Sequence, residues 1–146
     1  SILGNLCPFH EIKESEFLDV NQVNLNSQFF MTQALLPLLK QNKNASVIYT
    51  TSSVGRKGRA FWGAYSISKF ATEGMMQVLA DEYKNSGIRF NCINPGATKT
   101  SMRAKAFPGE KTETLKTPED IMPTYLYLAS DDSLGVNGQS LDCQVK

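Results

Sequence analysis

Two β-branched segments separated by a long helical pattern constrain the fold of this chain most strongly. Residues 45–52 follow the turn-like stretch 42–44 and predict a buried strand. A helix of about two dozen residues should end near Ser86-Gly87, and residues 88–94 predict a second strand, which Pro95-Gly96 terminates. This order predicts the crossover unit of a parallel α/β sheet, whose ligands bind beyond the carboxyl ends of the strands.

A long helix is predicted from residue 14 to about residue 41, because apolar residues recur along it at helical spacing. Pro37 should kink or loosen this helix. Asn24 falls on the apolar face, where burial of its amide is costly unless the amide is hydrogen-bonded. The spacing alone leaves two alternatives for Asn24, a satisfied structural group or a functional one.

The last third of the chain has a polar stretch followed by a helix. Residues 101–116 have no steady period and predict a mobile loop over a site, in which Met102 and Phe107 could contact a substrate; a plain surface loop is the alternative. Thr117 followed by Pro118 is typical of a helix start, and this helix should run to Ala129.

Tyr65 and Lys69 are the residues that most clearly suggest chemistry. They are four residues apart, so on a helix they lie on one face, and Ser52 precedes the tyrosine by thirteen residues. A neighbouring ammonium favours phenolate, which should bring the pKa of Tyr65 down from about 10 toward the working range. Tyr65 could then exchange protons while Ser52 holds a substrate oxygen; a surface tyrosine and lysine on an amphipathic helix is the alternative.

Several motifs together resemble those of the short-chain dehydrogenase/reductase family, and they occur in the family's order along almost the whole chain. The matching residues are Asn24 in Val23-Asn24-Leu25, Ser52 in Thr51-Ser52-Ser53-Val54-Gly55, Tyr65 and Lys69 in Tyr-x-x-x-Lys, Asn94-Pro95-Gly96, and Thr100. The resemblance implies a Rossmann-like, doubly wound parallel sheet. It also implies an oxidoreductase that moves hydride between NAD(P) and an alcohol or carbonyl substrate.

The resemblance also implies roles for single residues. Tyr65 would be the general acid/base, and Lys69 would lower its pKa and contact the nicotinamide ribose. Ser52 would hold the reacting oxygen, and the spacing favours it over Ser53, which should point to the opposite side of the extended chain. Asn24 would kink its helix and hold a water molecule in a proton relay.

Four residues after the second predicted strand are implied to bind the cofactor. Pro95, Gly96, Thr98 and Thr100 would lie against the nicotinamide and its carboxamide. The family's opening strand, its glycine-rich phosphate turn and the residue that selects NAD or NADP have no counterpart here, so that choice stays open. Residues 1–146 are therefore expected to form an incomplete Rossmann-like fold, a partial single domain equivalent to the family's carboxyl-terminal half.

Composition argues against several other classes of protein. The net charge of +1 gives no electrostatic footprint for nucleic acid. Three scattered cysteines and one histidine do not suggest a metal site, and no apolar run reaches membrane-spanning length. We expect a cytoplasmic protein without nucleic-acid or membrane partners. The basic stretch 56–59 is interpreted as a solvated loop face, with contact to an anionic substrate as the alternative.

The resemblance implies a homodimer or homotetramer formed through the two long helices. Four apolar residues on the later helix would suit such an interface: Phe70, Met75, Met76 and Leu79. Methionines at such positions are, however, more often part of a core than of an interface. Two other functions stay open, a catalytically inert fragment and a non-enzymatic interaction module. An esterase-like use of Ser52 is disfavoured because no Gly-x-Ser-x-Gly elbow accompanies it.

Overall fold

The sheet is parallel, as predicted, and its strands follow chain order. The structure, a computed structural model, describes residues 1–144. Strand β1 (Ala45–Thr50) pairs with β2 (Ile88–Asn94), and β2 pairs with β3 (Ser140–Asp142). All three strands run in the same direction, so their carboxyl ends meet at one edge of the sheet. The prediction of an α/β fold with a parallel sheet is confirmed.

The helices lie close to their predicted positions. The long helix consists of α1 (Glu14–Asn21), a π-helical turn (Gln22–Asn26) and α2 (Ser27–Leu39), and α2 continues through Pro37. Next comes α3 (Gly63–Glu82), which ends a few residues before the predicted Ser86-Gly87. The prediction of an irregular loop for residues 101–116 was wrong at its start, because Thr100 caps a short helix, α4 (Ser101–Ala106). The last helix is α5 (Pro118–Ala129), with a capping box at Thr117.

The apolar core lies between α3 and one face of the sheet. Ile88, Phe90 and Cys92 alternate along β2 and pack with Met76 and Ala80 of α3. Met76 is 1% exposed, so this methionine belongs to the core, which was the alternative to an interface role. Burial of these side chains removes apolar surface from water and anchors the second half of α3.

A side chain on the other face of β2 holds α5 against the sheet. The guanidinium of Arg89 is buried and donates hydrogen bonds to the carbonyl oxygens of Leu128 and Ser133 at 3.3 and 2.9 Å. These carbonyls lie at and just beyond the carboxyl end of α5, where a cation is favoured. Arg89 therefore ties the end of α5 to the sheet and leaves the amino end of α5 beside the strand ends.

Candidate active site

A cleft of about 350 Å³ opens at the carboxyl edge of the sheet. Its lining comes from the end of β1, the start of α3, the segment after β2, and α4. The predicted residues Ser52, Tyr65, Pro95, Gly96, Thr98 and Thr100 all line this cleft. Parallel strands end together, so residues distant in sequence meet here.

Ser52 enters the cleft from a tight turn. Its backbone is extended, and its hydroxyl accepts the Val54 N–H at 3.4 Å at the start of the 3₁₀ turn Ser53–Gly55. This turn packs tightly on α3, because a Cβ placed on Gly55 would lie 2.8 Å from the Lys69 Cβ. Ser53 does not line this inner cleft, whereas both serines line an adjoining outer cleft.

Tyr65 lies in the first turn of α3, and its hydroxyl lies near the Ser52 side chain. The side chain is 8% exposed. Burial raises the pKa of Tyr65 above its ordinary value, and the interaction with Ser52 acts in the opposite direction. The phenol is therefore protonated at neutral pH in this structure.

Lys69 lies one turn further along α3 and is 1% exposed. Its ammonium donates to the Thr50 carbonyl oxygen at 2.8 Å and lies 5.6 Å from the centre of the Tyr65 ring. Burial lowers the pKa of Lys69 to about 8. The two residues share a face as predicted. The predicted fall in the pKa of Tyr65 is not seen, because burial of the phenol dominates and the Lys69 ammonium is directed at the Thr50 carbonyl.

Asn24 lies beneath the site rather than in it. Its Oδ1 accepts the Ile2 N–H at 2.7 Å, and its Nδ2 donates to the Ile2 carbonyl oxygen at 2.8 Å and to Ser68 Oγ at 3.1 Å. The π-helical turn occurs at this residue, where the helix was expected to be distorted. Asn24 thus connects the first residues of the chain to α3, next to Lys69.

The segment after β2 presents polar groups to the cleft. Gly96 has a φ of 75°, a left-handed conformation that glycine adopts readily. The hydroxyl of Thr98 donates to the carbonyl oxygens of Pro95 and Gly96 at 3.4 Å each, and that of Thr100 accepts the Arg103 N–H at 3.1 Å. Together these bonds shape a turn whose backbone faces the cleft.

Sequence reasoning missed a side chain that supports this turn. Gln144 donates from its Nε2 to the carbonyl oxygens of Pro95 and Ala97 at 2.9 and 3.0 Å. The pair Cys143-Gln144 departs from the family's usual glycine pair, and no local pattern indicates that a glutamine placed there would reach back to the turn.

A second missed feature is the ion pair between Arg103 and Glu110. Arg103 donates from Nε and Nη2 to the two carboxylate oxygens at 2.6 and 2.5 Å. Its guanidinium also lies 3.9 Å from the centre of the Phe107 ring. Met102 lines the cleft, while Phe107 lines the outer cleft. The segment after α4 is therefore held to α4 by its own side chains.

The basic stretch at residues 56–59 divides into two parts. Arg56 forms ion pairs with Asp142 and, at 3.9 Å, with Glu73, and so connects the Ser52 turn to β3 and α3. Arg59 is exposed and lines the outer cleft, which has a volume of about 760 Å³. The hypothesis of an anionic substrate is therefore weakened at Arg56, whose charge is compensated.

Residues 1–144 show neither a metal site nor a membrane-spanning helix. These residues contain no group of three or more His, Cys, Asp or Glu side chains arranged to hold a metal ion. No helix among them is long and apolar enough to cross a membrane.

Comparisons with known proteins identify similar sequences and structures. A family model described as short chain dehydrogenase matches residues 2–111. The uncharacterized oxidoreductase YciK of Escherichia coli (strain K12) is 58% identical over 143 residues, which are 98% of this chain and 56% of YciK.

Two solved structures superpose closely on this one. A protein from Escherichia coli CFT073, solved in complex with NADPH, is 58% identical with a TM-score of 0.96 over 99% of this chain and 60% of its own. A protein from Shigella flexneri 2a, solved in complex with NADP, is 57% identical with a TM-score of 0.96 over the same shares. The chain thus spans a little under two thirds of the proteins that it resembles.

Proposed function

This chain belongs to the short-chain dehydrogenase/reductase family, and from that membership we propose that it carries the proton-transfer half of an NAD(P)-dependent oxidoreductase. The reaction interconverts an alcohol and a ketone or aldehyde. One observation carries the proposal: Ser52 and the buried phenol of Tyr65 line the same cleft, with the ammonium of Lys69 5.6 Å from the centre of the phenol ring.

Tyr65 serves as the proton donor in the direction of carbonyl reduction. A substrate oxygen in hydrogen-bond reach of Ser52 and Tyr65 becomes strongly basic as hydride reaches the carbonyl carbon. The phenol, whose raised pKa keeps it protonated, gives its proton to that oxygen. Ser52 holds the oxygen in place and stabilises the charge that develops on it.

Lys69 supports this transfer from behind the phenol. With a pKa of about 8 the ammonium is mostly charged at neutral pH, and its field favours the phenolate that remains after proton transfer. Asn24 holds the helix beside Lys69 through Ser68, and its proposed water relay would return a proton to the site. The positions of Lys69 and Asn24 support these roles.

The residues at the strand ends suit the nicotinamide half of the cofactor. The hydroxyl of Thr51 is buried at the cleft without a hydrogen-bond partner among residues 1–144, so a ligand polar group could satisfy it. Pro95, Gly96, Thr98 and Thr100 would hold the ring and its carboxamide, and Lys69 the ribose. The cofactor supplies or accepts the hydride. The NADPH and NADP complexes of the two relatives favour the phosphorylated form.

A homo-oligomer through the long helices is part of the proposal. Helix α2 exposes Phe29, Phe30 and Leu38 to between 47 and 58%, and a groove of about 530 Å³ runs between α2 and α3. Apolar surface of this extent favours burial against a second subunit. Sedimentation analysis of the full-length protein should give a dimer or tetramer, and a monomer at micromolar concentration would remove this part of the proposal.

Calorimetry and a rate measurement on the full-length protein test the proposal. NADPH is expected to bind with a micromolar dissociation constant, and NADPH absorbance should fall when a ketone or aldehyde is added. Hydride transfer is refuted if neither NADPH nor NADH binds. If a cofactor binds but no carbonyl compound is reduced and no alcohol is oxidised, the assigned reaction is refuted.

A further inference from the structure

The inner cleft has an apolar side that the proposed chemistry does not use. Trp62, Met102 and Ala106 pack together with Tyr65 and Leu3 in one cluster. All five residues also line the cleft, where the reacting oxygen would lie beside Tyr65. A substrate whose oxygen reaches the phenol must therefore place its remaining atoms against this apolar cluster.

Trp62 reaches this position through an unfavourable backbone conformation. The preceding residue, Phe61, has a φ of 72°, although its ring is 59% exposed and gains little by burial. The Trp62 ring lies 5.9 Å from the Tyr65 ring and 5.8 Å from the Phe107 ring, centre to centre. The result is an aromatic wall that extends from the phenol toward α4.

The charged side chain that lines the inner cleft is paired. Arg103 is the one charged side chain that lines it among residues 1–144. Its guanidinium is engaged by both oxygens of Glu110, and this hydrogen bonding holds the pKa of Glu110 below its usual range. Glu110 therefore stays ionised at neutral pH, and the pair presents almost no net charge to a substrate.

From this arrangement we propose that the substrate is an uncharged ketone or aldehyde, or the corresponding alcohol, that carries a bulky apolar group, preferably an aromatic ring. Trp62 and Met102 would contact the ring of the substrate. A substrate carboxylate would find no free cation at the Arg103–Glu110 pair, and its desolvation against the apolar wall is costly. This inference rests on the proposed function. In reduction, hydride from NADPH bonds to the carbonyl carbon, and a proton from Tyr65 bonds to the oxygen.

Three methyl ketones separate the substrate classes on the full-length protein with NADPH: acetophenone, acetone and 4-acetylbenzoate. We expect kcat/KM for acetophenone to exceed each of the other two by about tenfold or more, since apolar contact and carboxylate desolvation each contribute at that scale. An equal or higher value for acetone overturns the apolar selection. An equal or higher kcat/KM for 4-acetylbenzoate overturns the exclusion of anions. This outcome would also arise if Arg59 of the outer cleft bound the carboxylate of that ketone.

Two variants assign the selection to named residues. Trp62→Ala should lower the acetophenone-to-acetone ratio of kcat/KM about tenfold, chiefly through KM, and Trp62→Phe should restore most of this ratio.

Glu110→Gln removes the carboxylate that neutralises Arg103. The ratio of kcat/KM for 4-acetylbenzoate to that for acetophenone should therefore rise by about fivefold or more. Glu113→Gln, in the same segment but not paired with Arg103, is the control and should leave this ratio unchanged. Unaltered ratios in Trp62→Ala and Glu110→Gln overturn the inference.

A binding measurement separates this inference from the proposed function. Trp62 is the one tryptophan of the 146-residue sequence, so the fluorescence difference between the unaltered protein and Trp62→Phe reports on this cleft. 1-Phenylethanol should quench this signal at lower concentration than 4-(1-hydroxyethyl)benzoate does. Quenching in that order without reduction of any ketone refutes the proposed reaction and supports the apolar site. Ketone reduction with the opposite order of quenching refutes the apolar site and leaves the reaction intact.

Discussion

The two halves of α3 pack on the same sheet but bury opposite kinds of side chain. The first half buries hydroxyl and charged groups: Tyr65, Ser66, Ser68, Lys69, Thr72 and Glu73. The second half buries Met76 and Ala80, with Leu79 partly buried against the same core. Both halves belong to one uninterrupted helix, so helix propensity does not account for the difference.

Each buried polar group in the first half has an identified contact. Ser66 Oγ donates to the Val54 carbonyl oxygen at 2.6 Å, and Glu73 accepts from Ser140 Oγ at 2.7 Å. Hydrogen bonds limit the cost of polar burial but contribute less to stability than apolar packing of the same volume. The second half of α3 therefore contributes more to the stability of the fold. The polar side chains buried in the first half are not explained by stability alone.

The largest expected effect is on the catalysis proposed for Tyr65. Replacement of Tyr65 by Phe removes the proposed proton donor and should lower kcat by about 10³-fold, the usual scale of general acid catalysis. The urea midpoint should change little, because the ring that packs with Leu3 and Val54 is kept. Steady-state rates and urea titrations of the same sample measure both quantities.

Tyr83 provides the matched control at the other end of the helix. Its side chain packs against the apolar core, and Tyr83→Phe should keep kcat within about twofold. Equal losses of rate in the two variants would contradict the proposed division of the helix into a catalytic and a structural half.

Met76→Ala is the converse change, in the second half. Because Met76 is 1% exposed, the cavity left by truncation should lower the free energy of unfolding by about 3 kcal/mol, with kcat of the folded protein retained. Met31→Ala, at a side chain that is 64% exposed, is the control and should cost less than about 0.5 kcal/mol. A large fall in kcat for Met76→Ala would show that the two halves are not separable.

Lys69 should make stability depend on pH. Burial lowers the pKa of Lys69 to about 8 in the folded chain, from 10.5. Between these values the unfolded chain binds more protons than the folded one, so the stability of the unaltered protein rises with pH, and below pH 8 the cost of the buried charge is constant. Lys69→Met lacks this cost and should be more stable at neutral pH by up to about 3 kcal/mol.

Urea unfolding without cofactor, at neutral pH and at steps between pH 8 and 10.5, measures this difference. The advantage of Lys69→Met should shrink across that interval. Both proteins carry Tyr65→Phe in this measurement, because the ammonium favours ionisation of that phenol and its titration would differ between them. Ionisation of the other tyrosines affects both proteins alike and cancels. Parallel stability curves would mean that the ammonium is fully compensated by the Thr50 carbonyl, and the first half of α3 would then carry no electrostatic cost at this residue.

The fold followed from local sequence patterns, whereas much of the site did not. Strands β1 and β2 have β-branched or alternating apolar residues bounded by turn residues, and these patterns predicted both. The contacts of Gln144 with Pro95 span 49 residues, so no local pattern contains them. The direction of the Tyr65 pKa shift was also missed, because spacing shows that Lys69 is near but not how deeply the phenol is buried.

The residues that flank α3 extend the comparison to the backbone. Phe61, before the first half, has a φ of 72°, and Gly87, after the second half, has a φ of 78°. Glycine adopts this conformation without strain, while for other residues it costs about 1 to 2 kcal/mol. The strained residue thus lies on the side of the proposed active site, where it directs Trp62 into the cleft.

Phe61→Gly should relieve this strain and raise the free energy of unfolding by about 1 kcal/mol, part of the gain being offset by the greater freedom of glycine in the unfolded chain. Phe61→Ala is the control, because it removes the same exposed ring but keeps a Cβ in the left-handed conformation, and it should change stability by less than about 0.5 kcal/mol. Urea titration measures both variants. An equal gain in the two variants would assign the effect to loss of the ring instead of relief of the backbone. The strain would then not distinguish the proposed catalytic end of α3 from its structural end.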